Sequence, residues 1–222
     1  MVSILDIIGP VMVGPSSSHT AGACRMGLLA RALVGGTPER AVVELHGSFA
    51  RTGEGHGTDK AIAGGLLGFR PDDERLRDAL DIVEREGLDY RFEKTTIADD
   101  AHPNTARLTL DRGGIHTVVV GSSIGAGRIR LTEVDGFPVE ISGSLDTIVL
   151  VAEDRPGSIA RIAGILAGEQ VNLATMRVTR RSRGQDAFMV IELDDRPSEG
   201  AALAIQALPW VRWARLLPRV SA

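Results

Sequence analysis

A run of small polar side chains around one imidazole is the part of this sequence best suited to chemistry. The run consists of Ser16, Ser17, Ser18, His19 and Thr20. The apolar residues behind it have helical spacing, so the run is predicted to lie at a helix start. Free N–H groups and the positive dipole end there favour a carboxylate or phosphate, and an imidazole can transfer a proton near neutral pH. The same residues would also suit a capped helix beside a solvated histidine, and the pattern alone leaves both interpretations open.

Two further segments combine histidine with carboxylate or amide side chains. The segment GEGHGTDK contains His56 and Asp59, and the segment HPNT contains His102 and Asn104. These four side chains could line the same site, a subunit interface or a second anion pocket. Alternatively, each is a polar loop residue bonded to its own backbone. The Gly-rich segment GSSIGAGR lacks the ending of a phosphate-binding loop and is predicted to be a hairpin turn.

The C-terminal third has the order β-α-β-β-α-β over about seventy residues, which is typical of a ferredoxin-like unit. Between its first strand and first helix lie Asp154, Arg155, Pro156 and Gly157, and Asn172 opens its second strand. A Pro-Gly helix start leaves N–H groups free for an α-carboxylate, and the Asn172 amide offers both a donor and an acceptor. The simpler alternative is that Pro-Gly starts a helix and Asn172 is a turn residue.

The first part of the chain mixes helical and strand patterns. Residues 41–50 are predicted to begin as a strand and end in a turn. Helices are predicted over 57–69 and 71–87, and strands over 90–96, 105–111, 116–120 and 128–134. This is an α+β arrangement, with helices packed on a mostly antiparallel sheet. A boundary near residues 135–144 divides the chain into domains 1–140 and 145–219.

Composition excludes several classes of function. The 222 residues include 25 basic and 29 acidic side chains and no basic stripe, so nucleic acid is not an expected partner. No apolar run approaches the roughly 20 residues of a membrane span, and the first residues lack a basic signal-peptide region. A single cysteine, Cys24, rules out an internal disulfide. We therefore expect a cytoplasmic protein without a membrane partner.

The segment AEDRPGSIARIAGILAGEQVNLATM resembles the ACT domain, an amino-acid-sensing module attached to many metabolic enzymes. The resemblance rests on residues 154–157 and Asn172. It implies that these residues bind an amino-acid effector, with L-serine the first one to test. Such sites usually lie between two ACT units, which implies ACT-mediated self-association.

The segments DIIGPVMVGPSSSHTAGACRMG, HGSFARTGEGHGTDKAIAGGLLGF and HPNT together resemble the β subunit of the iron–sulfur-dependent L-serine dehydratase. With the ACT unit, the resemblance covers nearly the whole chain. The first half of that family is also similar to the allosteric substrate-binding domain of some 3-phosphoglycerate dehydrogenases. The resemblance implies the conversion of L-serine to pyruvate and ammonia, with an unligated iron of a 4Fe-4S cluster acting as Lewis acid on the β-hydroxyl.

The resemblance also implies where the parts of the site lie. Cluster ligation needs several thiolates and this chain has only Cys24, so a cysteine-bearing α subunit is expected to hold the cluster, with no metal bound by this chain. Residues 16–20 are expected to close the active site and grip the substrate carboxylate. His19 is expected either to bind or position the substrate or to transfer a proton. The competing hypothesis is a non-catalytic amino-acid-binding regulatory protein.

Overall fold

The structure is a computed structural model that describes residues 11–220. It divides into two compact units, one ending at Ser142 and the other comprising Gly143–Arg219. The division falls within the segment 135–144 in which the sequence places the domain boundary. Among the described residues, no helix is long and apolar enough to cross a membrane.

In the described part of the N-terminal unit, two of the α-helices are preceded by short turns of other helical types. A π-helical turn at Ser17–Gly22 runs directly into the first α-helix, and a 3-10 turn at Glu74–Asp78 runs into the last. The α-helices are α1 at Ala23–Val34, α2 at Gly47–His56, α3 at Thr58–Leu67 and α4 at Ala79–Glu86.

The strands of this unit form one sheet in the order β2-β1-β3-β4-β5-β6. They are β1 at Arg40–Leu45, β2 at Asp89–Lys94, β3 at Thr105–Arg112, β4 at Ile115–Gly125, β5 at Arg128–Val134 and β6 at Phe137–Ile141. Within the described sheet, β1 and β2 are parallel and the remaining neighbours are antiparallel. Helix α1 packs on β3 and β4. The predicted α+β class is confirmed.

Helices α1 and α3 approach each other closely through two glycines. A Cβ on Gly27 would lie 2.5 Å from the carbonyl oxygen of Ile62, and a Cβ on Gly65 would collide with the carbonyl oxygen of Cys24. Both obstacles are backbone atoms, which cannot rotate away. Glycine lowers the helix propensity of both segments, but here it is what allows α1 and α3 to pack closely against each other.

The C-terminal unit has the predicted β-α-β-β-α-β order. Its elements are β7 at Asp146–Glu153, α5 at Ser158–Gly168, β8 at Leu173–Arg180, β9 at Asp186–Leu193, α6 at Glu199–Gln206 and β10 at Val211–Leu217. The strands form an antiparallel sheet in the order β10-β7-β9-β8. Apolar side chains such as Leu150, Ile162 and Ile191 join the sheet to the helices in one buried core.

Several predicted elements were wrong in type or extent; strand β4, for example, continues to Gly125 through most of the segment GSSIGAGR that was predicted to be a hairpin turn. The turn predicted to end residues 41–50 is instead the start of α2, which the glycines of this segment had concealed. The helix predicted over 71–87 is shorter, because its first part forms the 3-10 turn. The predicted boundary segment contains strand β6, which pairs with β5 as an additional edge strand, a tertiary contact that local propensity does not encode.

We predict that Gly65→Ala lowers the free energy of unfolding by about 1–3 kcal/mol, because α1 and α3 must separate to admit the methyl group. The matched control is Gly55→Ala in α2, where a Cβ meets nothing within 4 Å and the helix is expected to gain roughly 0.5–1 kcal/mol. Denaturant unfolding followed by circular dichroism measures both changes. Equal stability of Gly65→Ala and the parent chain would contradict the close helix contact.

Candidate functional site

The polar run begins the helix as predicted, but through a π-helical turn. Ser16 is the N-cap residue, and its Oγ accepts a hydrogen bond from the His19 backbone N–H at 3.2 Å. Its carbonyl oxygen accepts from the Thr20 N–H at 2.8 Å. Ser17 and Ser18 are half-buried on the same turn. Single π-helical turns are rare and are frequently found at functional sites.

Helix α2 supplies most of the surroundings of the His19 ring. Thr52 Oγ1 lies 3.1 Å and Ser48 Oγ 3.4 Å from Nε2 of His19. The ring of Phe49 meets the imidazole edge-on at 5.1 Å between centroids, and the ring of His56 lies 5.0 Å away. Positions 48, 52 and 56 are four residues apart and share one helix face. That face holds the imidazole in place.

The environment of His19 favours the neutral form of its imidazole. Burial is the main cause that lowers the pKa of His19 below its usual value, and the neighbouring His56 lowers it further. Hydrogen bonding to Ser48 acts in the opposite direction and is the weakest of the three influences. A neutral imidazole at pH 7 can accept a proton, which is the property required of a general base.

A cavity of about 350 Å³ lies beside the polar turn and the end of α2. Thr20, His56 and Lys60 are among its lining residues, whereas His19 is not, although its ring lies 5.0 Å from that of His56. The Thr20 hydroxyl donates to the carbonyl oxygen of His56 at 3.3 Å and so ties the turn to α2. Lys60 donates to the Arg77 carbonyl oxygen at 2.9 Å. The cavity therefore has a cation, an imidazole and a hydroxyl on its walls.

Asp59 is buried in the first turn of α3 and does not line this cavity. Burial raises the pKa of its carboxyl group. Its backbone carbonyl accepts a hydrogen bond from the Tyr90 hydroxyl at 3.0 Å. Within the described residues, Oδ1 of Asp59 has no hydrogen-bond partner. The structure thus separates Asp59 from His56, its neighbour in the sequence motif.

The HPNT segment supports α2 rather than joining the His19 cluster. The carbonyl oxygen of Pro103 accepts from the backbone N–H groups of Ser48 at 2.6 Å and Phe49 at 3.3 Å, at the start of α2. His102 Nδ1 accepts from the Asn104 N–H at 3.1 Å, the local backbone bond that the simpler interpretation describes. His102 also lines a second cavity of about 530 Å³.

In the C-terminal unit, the side chain of Asp154 is already engaged. It accepts from Nη1 of Arg180 at 2.7 Å and from the Gly184 N–H at 3.2 Å, and these two bonds hold the pKa of the carboxyl below its usual range. Arg155 and Pro156 follow, and Gly157 has a φ of 85° as the N-cap residue of α5, without a side-chain cap. The helix start predicted from Pro-Gly is confirmed.

Asn172 lies beyond the opposite end of α5. Its Nδ2 donates to Oδ2 of Asp194 at 2.6 Å. The 11 residues of α5 separate it from Gly157, a helix length of about 16 Å. A single C-terminal unit therefore does not bring Asn172 and residues 154–157 together on one small ligand.

Comparison with known proteins identifies both parts of the chain. Residues 3–134 match the family model of the serine dehydratase beta chain, and residues 147–209 match the ACT domain. The chain belongs to the serine dehydratase β-chain family. The expected family and the expected ACT domain are both confirmed.

Several relatives match most of this chain. A probable L-serine dehydratase beta chain of Bacillus subtilis is 46% identical over 207 residues, which are 93% of this chain and 94% of that one. The L-serine dehydratase beta chain of Peptoniphilus asaccharolyticus is 36% identical over 91% of this chain and 92% of its own. A D-3-phosphoglycerate dehydrogenase of Synechocystis is 28% identical over 84% of this chain and 34% of its own length.

The residues of this β chain do not fit an iron–sulfur cluster. Its only cysteine, Cys24, is buried in α1, and its thiol donates to the Phe69 carbonyl oxygen at 3.2 Å. Burial raises the pKa of that thiol to about 12, so a thiolate ligand is disfavoured. In the part of the chain that the structure describes, no group of three or more potential ligands is placed to hold a metal ion.

Sequence reasoning missed the residues that hold His19. Ser48 and Phe49 fall in the segment 41–50 that was predicted to end in a turn, and Thr52 lies just beyond it, so their contact with the polar run was not foreseen. The signal was the spacing of four between Ser48, Thr52 and His56, which glycines at 53 and 55 obscured. The carbonyl of Pro103 was also missed, because every residue has a backbone carbonyl and residue type does not show which one will accept a hydrogen bond.

We predict that His56→Gln raises the pKa of His19. The neighbouring imidazole is the second cause that lowers this pKa, and the substitution removes it while His19 stays buried. Nuclear magnetic resonance titration of the His19 Cε1 proton measures the change. Since burial alone keeps the value below about 6.5, protonation of His19 should still destabilise the fold as the pH falls below that point. His116→Gln, at an exposed histidine paired with Asp111, is the control. An unchanged His19 midpoint in His56→Gln would contradict the coupling.

Proposed function

We propose that this chain is the β subunit of L-serine dehydratase and completes the active site of a cysteine-bearing α subunit. The complex converts L-serine to pyruvate and ammonia. The observation that carries the proposal is the similarity to two β chains over more than nine tenths of their length. The cluster of His19, His56 and hydroxyl groups beside a cavity supports it, because these groups suit a small zwitterionic substrate.

The 4Fe-4S cluster is assigned to the α subunit in this proposal. The buried, hydrogen-bonded thiol of Cys24 supports that assignment, because it leaves the β chain without a thiolate ligand. Departure of the β-hydroxyl group needs a Lewis acid, which is the chemistry the partner would contribute. We also propose a cytoplasmic location, in keeping with a free thiol.

The proposed contribution of this chain is to bind the carboxylate and to handle protons. The turn at residues 16–20 offers hydroxyl and N–H donors for the substrate carboxylate. His19 or His56 accepts the α-proton, and the electron pair of that C–H bond forms the double bond as hydroxide leaves the β-carbon. The resulting aminoacrylate adds water and releases ammonia, leaving pyruvate. Asp59, His102 and Asn104 act indirectly, by supporting the elements around the site.

The ACT domain is proposed to bind an amino-acid effector between two copies. Residues 154–157 and Asn172 lie at opposite ends of α5, so both can contact one ligand only if they come from two different units. This supports self-association through the ACT domain. The pairs Asp154–Arg180 and Asn172–Asp194 would have to open or adapt when a ligand binds.

The second candidate function is a non-catalytic amino-acid-binding regulatory protein. Its support is the ACT domain together with a β chain that has no cluster ligands of its own. Anaerobic co-expression with a cysteine-rich α chain, followed by a pyruvate assay, separates the two candidates. The dehydratase subunit yields activity and iron only in the complex, whereas the regulatory protein yields neither.

We predict that His19→Ala lowers turnover of the assembled enzyme by about 100- to 10,000-fold, the usual effect of losing a positioned acid or base. The fold should survive, since Ser16 still caps the helix. The control is His116→Ala, which removes an exposed histidine on β4. Iron content and subunit pairing are measured alongside the pyruvate assay. Turnover at the parent rate, with the cluster intact, would make His19 a structural residue.

We predict that Asn172→Ala weakens L-serine binding by about 1–3 kcal/mol, the cost of losing buried hydrogen bonds to a ligand. Thr175→Ala, on the strand β8 that follows Asn172, is the control, because that hydroxyl bonds to Glu192 instead. Calorimetry measures the affinity, and sedimentation tests whether serine changes self-association. Equal serine affinity in both variants would exclude Asn172 from the effector site.

A further inference from the structure

Thr52 contacts both histidines of the site, each through a different oxygen atom. Its side-chain Oγ1 lies 3.1 Å from Nε2 of His19. Its backbone carbonyl oxygen lies 2.9 Å from Nδ1 of His56. No other residue of the cluster is shared in this way by the two rings within the described chain.

The proton positions around His19 follow from what each neighbour can donate. The Thr52 hydroxyl donates its only proton to the Ser48 carbonyl oxygen at 2.9 Å, so Oγ1 can only accept from the imidazole. With that bond in place, the shorter contact of Nε2 of His19 assigns it a hydrogen atom, and the Ser48 hydroxyl oxygen, 3.4 Å from the same nitrogen, accepts as well. Ser16 Oγ lies 3.4 Å from Nδ1 and already accepts the His19 N–H, so its own proton is free to point at Nδ1. In the neutral ring, Nδ1 is then the unprotonated nitrogen, with the Ser16 hydroxyl as its hydrogen-bond donor.

The opposite assignment holds for His56. A carbonyl oxygen has no proton to donate, so Nδ1 of His56 must donate to the carbonyl of Thr52. In the neutral ring, Nε2 of His56 then has the bare lone pair. Two imidazoles 5.0 Å apart thus carry their protons on different nitrogens.

We propose that Thr52 is a positioning residue that sets the tautomers of both histidines, His19 with the proton on Nε2 and His56 with the proton on Nδ1. Its side chain acts on His19 and its backbone acts on His56. The role in catalysis rests on the proposed function, but the tautomers are a property of this chain alone. The consequence for the reaction is that Nδ1 of His19 and Nε2 of His56 are the two atoms that can accept a substrate proton.

The two oxygens of Thr52 give the experiment an internal control. Thr52→Val removes the hydroxyl with little change in shape and leaves the backbone carbonyl, so only His19 should respond. Thr52→Ser keeps the hydroxyl and should restore the parent behaviour. Arg51→Ala, at the adjacent exposed position of α2, controls for general effects on the helix.

The first measurement is the nitrogen-15 chemical shift of each imidazole nitrogen in the isolated full chain labelled at histidine, at a pH above the histidine range. In the parent chain, Nε2 of His19 and Nδ1 of His56 are expected at protonated-nitrogen shifts. In Thr52→Val, the two His19 shifts should move toward the average of the two tautomers, while those of His56 stay. Unchanged His19 shifts in Thr52→Val, or a proton on Nδ1 of His19 in the parent, would overturn the proposal.

The second measurement is activity in the complex with the α subunit. Thr52→Val should lower kcat by about 10- to 100-fold with little change in KM, and Thr52→Ser should recover most of it. A change in KM without a loss of kcat, or no change in either constant, would overturn the positioning role. If His19→Ala also retains full turnover, the proposed function of His19 fails, whereas the nitrogen-15 shifts still decide the tautomers.

Discussion

The close contact between α1 and α3 is the constraint on which the candidate site depends. The polar turn runs directly into α1, and α2 is joined to α3 through Gly57, whose φ of 70° makes a sharp reversal possible. When α1 and α3 pack through Gly27 and Gly65, the two preceding segments are brought side by side. The imidazole of His19 then meets the one face of α2 that carries hydroxyl groups and a second imidazole. A larger residue at either glycine would move both segments at once.

Local charge and hydrogen bonding then decide what the assembled cluster can do. His19 is partly withdrawn from water and faces His56, so its neutral form is favoured, and a neutral ring can accept a proton. The helix that presents these partners is itself anchored from a distance, because the Pro103 carbonyl receives the first N–H groups of α2. This explains why the HPNT motif accompanies the polar run in one sequence, although its side chains do not join the His19 cluster.

In the C-terminal unit, the expected site residues are not brought together. Its two groups of expected effector residues lie at opposite ends of one helix, and both Asp154 and Asn172 are satisfied by partners within the unit. Both side chains therefore have hydrogen-bond partners without a ligand. In the proposed effector site, a ligand shared by both groups requires a second copy, which would link regulation to assembly.

The sequence by itself determined the order of most helices and strands, the helix start at the polar run, the ACT unit and the absence of enough cysteine for a cluster. These features depend on periodicity, capping residues and composition, which act over a few neighbouring residues. Only the tertiary structure decided that residues 47–56 form a helix, since three of its ten residues are glycines and its first N–H groups are bonded by a residue about fifty positions away. It likewise decided that Thr52 touches His19 while Asp59 is buried elsewhere. Such pairings arise from the packing of segments distant in sequence, and residue type alone does not specify them.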